Sequence, residues 1–246
     1  MRIISWNVNG IRACIKSGSL TDFLKKDDPD IICFQEIKAL EGDFEYFDGY
    51  YTYLNSAERK GYSGVAVFSK IKPNYVKKGQ DSEGRVLELG FDDFILFNVY
   101  FPNGQKDENR LNYKLNFYSE FFKYVQDLRL AGKNIIICGD YNIAHQEIDL
   151  ARPKQNENTS GFLRVERDWL DKIVQMNYVD TFRHFHKEPN NYSWWSYRFN
   201  ARKNNVGWRI DYFFVNKEFL SKVKDAFILP DVLGSDHAPV GVEVLL

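Results

Sequence analysis

Asn134-Ile135-Ile136-Ile137-Cys138-Gly139-Asp140-Tyr141-Asn142 is the stretch that decides the fold. Successive side chains of a strand point to opposite faces, and here both sets are apolar. The run therefore reads as a strand covered on both sides, ending where Gly139 and Asp140 meet a polar rim. Similar short β-rich runs recur outward from it: Ile3–Val8, Asp30–Phe34, Gly64–Ser69, Val86–Phe91, Phe94–Tyr100, Ile210–Val215 and Val240–Leu245. Helical patterns fall between them. Ser19 precedes Leu20–Lys26 with Asp22 three residues on, the arrangement of a capping box. From Arg110 to about Leu130, Leu111, Leu115, Tyr118, Phe122 and Val125 stand at helical spacing, and Gly132 stops the helix. Val165–Met176 is a third helix. Strands and helices alternate without a strict βαβ rhythm, which predicts layered α/β with mixed sheets.

The length of 246 residues suits one large domain or two small ones, and no linker or low-complexity tract divides the chain. A single domain over 1–246 is the expectation. The formal charge of −1 excludes a simple polycation, so any contact with nucleic acid must come from a localised basic face. The 20 Phe, 15 Tyr and 5 Trp supply large buried rings or flat platforms for bases. Cys14, Cys33 and Cys138 are odd in number and share no metal spacing; they read as core thiols in a reducing compartment. The N-terminus runs straight into a strand, with no signal-peptide pattern and no membrane span. The expectation is a soluble cytoplasmic protein, nucleoid-associated if prokaryotic.

Polar groups cluster where the strands end. Trp6-Asn7-Val8-Asn9-Gly10, Phe34-Gln35-Glu36-Ile37-Lys38, Cys138-Gly139-Asp140-Tyr141-Asn142 and Arg209-Ile210-Asp211-Tyr212 each follow or end an apolar run. Gly234-Ser235-Asp236-His237-Ala238-Pro239 adds an Asp-His pair just before the last strand. Any one Asn or Asp in such a place is an ordinary turn former. Glu36 gains nothing as a turn residue, and five coincidences at one sheet rim are improbable. Oxygen ligands with few Cys or His favour Mg²⁺, or Mn²⁺, over zinc. A carboxylate beside an imidazole can hold a divalent cation and move a proton near neutral pH. No Gly-Lys-Ser/Thr phosphate loop of the nucleotide-driven kind is present. Tyr100-Phe101-Pro102-Asn103-Gly104 reads either as a plain turn or as a loop bringing the Tyr100 hydroxyl to a phosphate oxygen.

The stretch from Trp194 to Arg209 carries four basic residues, five aromatics and no acid. Rings interleaved with cations are what base stacking and phosphate contact require. Trp195 and Tyr197 are expected to alternate into the core, which leaves the cationic loop and Trp208 unexplained by packing alone. Arg59-Lys60-Gly61-Tyr62-Ser63-Gly64 is a second candidate contact, its glycines permitting close backbone approach to phosphate. Lys70, Lys72, Lys77 and Lys78 read as a solvated face, and Gly161-Phe162 as a structural turn. His145, His184 and His186 read as structural or surface residues.

These motifs resemble the exonuclease III family of apurinic/apyrimidinic endonucleases, nearly end to end and in the family's order. The segments that carry the resemblance are Ser5–Arg12, Gln35–Lys38, Gly139–Asn142, Trp194–Tyr197, Asn205–Phe213 and Gly234–His237. The rim motifs alone would fit the wider endonuclease/exonuclease/phosphatase superfamily. The Trp-Trp-Ser-Tyr to Trp-Arg-Ile-Asp-Tyr stretch is more specific to the abasic-site branch.

The resemblance implies a four-layered α/β sandwich, two facing mixed sheets flanked by helices, with the site at one rim. It implies Glu36 as the principal Mg²⁺ ligand, supported by Asn7 and Asp236, with Asp140, Asn142 and His237 on the other side of the site as ligands of a second or migrating metal. Asp140 would activate or position the attacking water, Asp211 would orient His237, and Tyr100 and Asn142 would donate to the phosphate. Trp208 and Trp194, with Phe199, would wall a pocket for a flipped-out baseless sugar. Arg12, Gly61, Tyr62, Asn103 and Arg198 would lie near the DNA backbone. The implied activity is cleavage of duplex DNA 5′ to an abasic site, leaving a 3′-hydroxyl, with 3′-phosphodiesterase and 3′→5′ exonuclease activities beside it. The implied partner is abasic double-stranded DNA, with no membrane and a monomeric enzyme.

Departures from the family pattern are Asn9, where some members carry Asp, and an Asn156–Thr159 loop without the lysines of some members, which lowers the expected non-specific affinity. A start at the first strand, without the extension of some eukaryotic relatives, gives no ground for an extra regulatory role. An inositol-phosphate or lipid-headgroup phosphatase, and a non-catalytic DNA-binding module on the same fold, are the competing readings.

Overall fold

In the computed structural model, which describes residues 1–44 and 47–245, Ile135–Asp140 is a strand whose side chains alternate between two hydrophobic layers. Ile136 and Cys138 enter the layer that also holds Ile3, Ile31, Cys33, Val67 and Phe213. Ile135 and Ile137 point the other way, among Tyr118, Phe121, Phe122 and Leu170. A strand apolar on both faces needs a partner on each, and the rest of the fold supplies them.

Among the described residues, twelve strands form two six-stranded sheets. From edge to edge the first is β11 (Val223–Ile228), β12 (Val240–Val244), β1 (Arg2–Asn7), β2 (Ile31–Gln35), β4 (Val65–Ser69) and β3 (Tyr51–Asn55). The second is β5 (Tyr75–Lys78), β6 (Val86–Gly90), β7 (Ile95–Tyr100), β8 (Ile135–Asp140), β10 (Asp211–Asn216) and β9 (Tyr178–Asp180). Both are mixed: β1–β2 and β7–β8 run parallel and the other pairs antiparallel. The first core cluster fills the space between the sheets. Helices α1 (Ile11–Lys16) and α2 (Ser19–Asp27) bring Ile11, Leu20 and Phe23 onto Ile4, Trp6, Ile32 and Phe34 on the outer face of the first sheet. Helices α3 (Glu108–Leu130) and α5 (Arg164–Gln175) cover the outer face of the second. Short helices α4 (Pro153–Asn156) and α6 (Thr181–Phe185) lie in the connections. The layers are therefore helix, sheet, sheet, helix: the four-layered α/β sandwich that was expected.

Each of the eight apolar runs read from the sequence is an interior strand, and the four strands not foreseen, β3, β5, β9 and β11, are the four sheet edges. One local expectation is corrected. Ser19 is not a helix cap: it is already the first residue of α2, Gly18 holds the left-handed cap position, and no side chain caps the helix. The Ser19 hydroxyl instead shares a hydrogen bond with that of Ser17 at 3.0 Å. Helix α3 starts where Asp107 accepts the backbone N–H of Arg110, and the Gly132 N–H closes its far end on the Arg129 carbonyl. All three cysteines are free and buried.

Sheet register assembles the rim. Asp140 is the last residue of β8; Tyr100 of β7 lies beside it on one flank and Asp211 of β10 on the other. In the facing sheet Asn7 of β1 pairs with Gln35 of β2, one residue before Glu36. Ser5 pairs with Val240, so the turn carrying Asp236 and His237 arrives at the same end. Gly139 makes this row possible. A Cβ at its φ of +143° would fall 1.8 Å from the Val99 carbonyl oxygen, so only a glycine lets β8 run this close to β7.

Candidate active site

Asn7 is fully buried, and its amide joins the two sheets, donating to Asp140 Oδ2 at 2.9 Å and to Glu36 Oε2 at 3.3 Å. Glu36 follows β2 with a φ of +54°, a left-handed backbone that a glutamate adopts only where its surroundings impose it. The Gly10 N–H on its carbonyl, at 2.8 Å, is part of that constraint. Lys38, also left-handed, places Nζ 3.0 Å from Glu36 Oε1 and 2.6 Å from Asn9 Oδ1. Asn9 in turn donates to Asp236 Oδ1 at 3.0 Å, and the Trp194 indole N–H donates to Asp236 Oδ2 at 3.1 Å.

The second half of the site is a chain of buried groups. Ser193 donates to Asp211 Oδ2 at 2.6 Å, and the same oxygen meets His237 Nδ1 at 2.9 Å. His237 Nε2 lies 3.9 Å from Asp140 Oδ2. Burial alone would lower the imidazole pKa, but the charge and hydrogen bond of Asp211, with Asp140 and Asp236 behind it, lift it from 6.5 to about 10. Asp140 is raised as well, which for a carboxylate disfavours the charged form. Burial and the neighbouring Asp211 raise it to about 7, against the His237 charge and the hydrogen bonds from Asn142 and Asn7. Asn142 donates its backbone N–H to Asp140 Oδ1 at 2.8 Å and its amide to the Phe101 carbonyl at 2.9 Å. The Tyr100 phenol is pushed well above its usual range by burial and then by Glu36 and Asp140. The Arg85 guanidinium lies 4.6 Å from the Tyr100 ring centroid and donates to the Tyr100 carbonyl at 2.6 Å.

These groups face a cleft of about 780 Å³. Glu36, Tyr100, Asp140, Asn142, Asp236 and His237 line it on the acidic side. Trp194, Arg198, Phe199, Trp208 and Asn103 line it elsewhere. Trp194 and Trp208 form an antiparallel bridge, their rings edge to face at 6.4 Å. Asn7 and Asp211 sit behind the cleft wall and act on it through hydrogen bonds.

Three of the expected contact residues stand apart from this lining. Arg12 is exposed, donating to the Lys38 carbonyl at 3.2 Å. Tyr62 is tied to Glu83 and Arg110, at 3.3 and 3.1 Å, and Gly61 opens to solvent beside it. Tyr197 corrects the sequence reading. It is 74% exposed, because the chain turns from Tyr197 onward and the alternation that buries Trp195 does not continue. Phe199 is 91% exposed and stands at the cleft mouth rather than forming a wall.

The sequence assigned no role to Ser193 or Lys38, and gave Gly161 only that of a structural turn. Gly161 lines the cleft, and a Cβ there would lie 3.3 Å from the Trp208 ring. Lys38 stood inside a quoted motif, but nothing local tells that its ammonium meets Glu36. Ser193 finds Asp211 eighteen residues away, a separation that carries no local pattern.

The donor set suits a divalent cation. Four carboxylates, Glu36, Asp140, Asp211 and Asp236, converge here, and the Lys38 ammonium already rests against Glu36 as a stand-in positive charge. Asp140, Asp211 and His237 also bring ligand atoms within 4.8 Å of one another. Asp211, however, commits one oxygen to Ser193 and the imidazole. Glu36, Asp140 and Asp236, with Asn7, are the oxygen donors left for a hard ion.

Known proteins match this chain along its length. The model of the endonuclease/exonuclease/phosphatase family matches residues 4–237. An exodeoxyribonuclease of Bacillus subtilis is 44% identical over 247 residues, covering 98% of each chain. A DNA-(apurinic or apyrimidinic site) endonuclease of Dictyostelium discoideum is 40% identical over 256 residues, covering 99% of this chain and 70% of its own. A solved 3′ phosphatase from Neisseria, bound to a product DNA hairpin, superposes with a TM-score of 0.90 at 27% identity, covering 100% of both chains. On fold, site geometry and these matches together, the chain belongs to the endonuclease/exonuclease/phosphatase family.

Proposed function

We propose that this chain is a Mg²⁺-dependent DNA repair nuclease that hydrolyses the phosphodiester 5′ to an abasic site in duplex DNA and leaves a 3′-hydroxyl. Residues 1–246 act as one catalytic domain and as a monomer. One observation carries the reading: a carboxylate–imidazole site and an indole slot share one cleft, and the Trp194 N–H on Asp236 joins them at 3.1 Å. A phosphatase for small soluble esters needs only the first of these. The relatives named for abasic-site cleavage, exodeoxyribonuclease and 3′ phosphatase activity support the nucleic-acid substrate and the companion action on 3′ ends.

Asn7, Glu36 and Asp236 would hold the Mg²⁺, with Mn²⁺ as alternative, and Asp140, Asn142 and His237 lie on its far side. Once bound, the ion would supply charge neutralisation at the scissile phosphate. The remaining work belongs to the chain. Asp140, poised near neutral pH, takes the proton of the attacking water. His237 keeps its charge at neutral pH because of Asp211 and presents Nε2 as a cationic donor to the phosphate oxygens. Tyr100 and Asn142 add neutral donors beside it. Trp208 and Trp194 wall the space that receives the baseless sugar, while a base must be unstacked and then excluded. Arg198 and Phe199 meet the DNA at the cleft mouth, with Arg12, Gly61, Tyr62 and Asn103 along its path. Among the described residues no helix is long and apolar enough to cross a membrane. Three free buried thiols suit a reducing cytoplasm, with the nucleoid as workplace if the source is prokaryotic.

The test is a labelled duplex with a tetrahydrofuran abasic analogue, beside undamaged and deoxyuridine duplexes, with Mg²⁺ or with chelator. Incision 5′ to the analogue, lost on chelation, is the expected result. Equal cutting of undamaged duplex, or hydrolysis of soluble phosphate esters alone, would overturn the reading.

A further inference from the structure

Lys114 and Glu166 are both fully buried, and their charged atoms meet at 2.7 Å. Taking two charges out of water costs more than a hydrophobic pair of the same volume, so stability alone is a poor reason for them to be there. Their other bonds give a better one. Lys114 Nζ also donates to the Asn142 carbonyl at 2.8 Å. Glu166 Oε2 accepts the backbone N–H groups of Gly161, at 2.6 Å, and Leu163, at 3.2 Å, while Oε1 accepts the Ser160 hydroxyl at 3.2 Å.

Gly161, at a φ of +95°, is wedged between the two halves of the cleft. A Cβ there would lie 3.2 Å from the Asn142 carbonyl oxygen and 3.3 Å from Trp208 Cζ3. Asn142 is itself held in the left-handed region, at a φ of +53°, with its side-chain amide on Asp140 Oδ2 at 3.3 Å and on the Phe101 carbonyl at 2.9 Å. The buried ion pair therefore grips the strained turn on the phosphate side with its cation. Its anion grips the loop under the indole wall.

We propose that Lys114 and Glu166 are positioning residues that set the spacing between the phosphate-binding turn at Asn142 and the sugar-selecting wall at Trp208, so that catalysis and selectivity rest on one footing. This deepens the nuclease reading of the same cleft and rests on it for its kinetic readout. Loss of the pair should lower kcat and the preference for abasic over intact DNA together, with little change in KM.

The decisive variant is Lys114→Met with Glu166→Leu, which removes both charges and fills the volume. It should fold, with a melting temperature lowered by the buried Gly161 N–H left without an acceptor, and lose at least about tenfold in kcat and about tenfold in the abasic-to-intact rate ratio. In the free protein, the Trp208 indole N–H and Asn142 side-chain amide resonances, assigned through Trp208→Phe and Asn142→Asp, should both move. That spectrum answers for the footing even if the native protein fails to cut abasic DNA, which would be a failure of the nuclease reading instead. If the apolar pair does not fold, Lys114→Arg keeps the charge but changes the reach, and the same joint loss is expected of it. A folded variant with unshifted resonances and native kcat and selectivity would overturn the proposal.

Discussion

The acidic wall of the cleft and its basic mouth are built on opposite terms. On the acidic wall and just behind it, Asn7, Asp140, Asp211 and His237 are 0, 2, 3 and 5% exposed, and each is hydrogen-bonded to another. At the basic mouth Tyr197 and Phe199 are 74 and 91% exposed, and Phe199 and Asn200 sit on left-handed backbone at the tip of a turn. The contrast fits the parts proposed for the two regions. Groups that stabilise charge developing in a reaction must be fixed beforehand, because reorienting them during the step would add to the barrier. Groups that recognise a polymer are left with apolar and cationic surface that only the polymer covers. The acidic wall should therefore respond to mutation in turnover, and the mouth in affinity and salt dependence.

The largest break expected is at Asp140. Asp140→Asn should reduce single-turnover cleavage of abasic duplex by on the order of 10³ or more, while the dissociation constant measured in chelator changes less than about threefold. Near-native turnover would remove Asp140 from the chemistry and dissolve the contrast.

Asp211→Asn comes next, with a loss of about 10² in kcat. It should also move the alkaline limb of the pH–rate profile downward, since Asp211 is what lifts His237 to about 10. The same pair predicts a stability signature with a definite sign. The His237 pKa is raised on folding, so its contribution is fully present below the ordinary value of 6.5 and is lost as pH rises through about 10. In chelator, the melting-temperature deficit of His237→Asn should thus be present at pH 6 and vanish above pH 10. A deficit that grows with pH would contradict the assignment.

Trp208→Ala sharpens the comparison from the indole wall, because its ring packs on Phe162 and Gly161 yet faces the cleft. The abasic-to-intact rate ratio should fall about tenfold with a smaller loss in kcat. An unchanged ratio would take the indole out of selection. The smallest effect belongs to Arg198→Ala at the exposed mouth. KM should rise a few-fold and the slope of log affinity against log salt should shallow by about 1, with kcat unchanged. A drop in kcat there would show the mouth taking part in the reaction.

What the sequence made legible follows the same division between buried and exposed. The eight interior strands announced themselves because both faces are covered, so their side chains are mostly apolar, in several cases without a break, as in Ile135–Cys138. The four edges did not. Tyr75–Lys78 carries two lysines on a largely exposed strand, and Val223–Ile228 exposes Lys224 and Asp225. Lys77 and Lys78, read as a solvated face, are part of that edge, where cations discourage pairing with another chain.

In the site, Glu36 stood out because its residue type made no sense in a turn, and its left-handed backbone bears that oddness out. Ser193, Lys38 and the Lys114–Glu166 pair were silent. Each works through a partner distant in sequence, and each is a residue type that is ordinary where it stands. Tyr197 misled for a local reason: period-two alternation holds only while the chain stays extended, and it turns at that residue.

The row Tyr100–Asp140–Asp211 across β7, β8 and β10 has one more consequence. A slip of one residue in β10 would turn Asp211 to the far face and leave Ile210 or Tyr212 opposite Asp140. Misassembly would then produce a silent protein, not a careless one. In a chain that severs nucleic acid, ladder pairing serves as a safety catch, released only when the strands have zipped true.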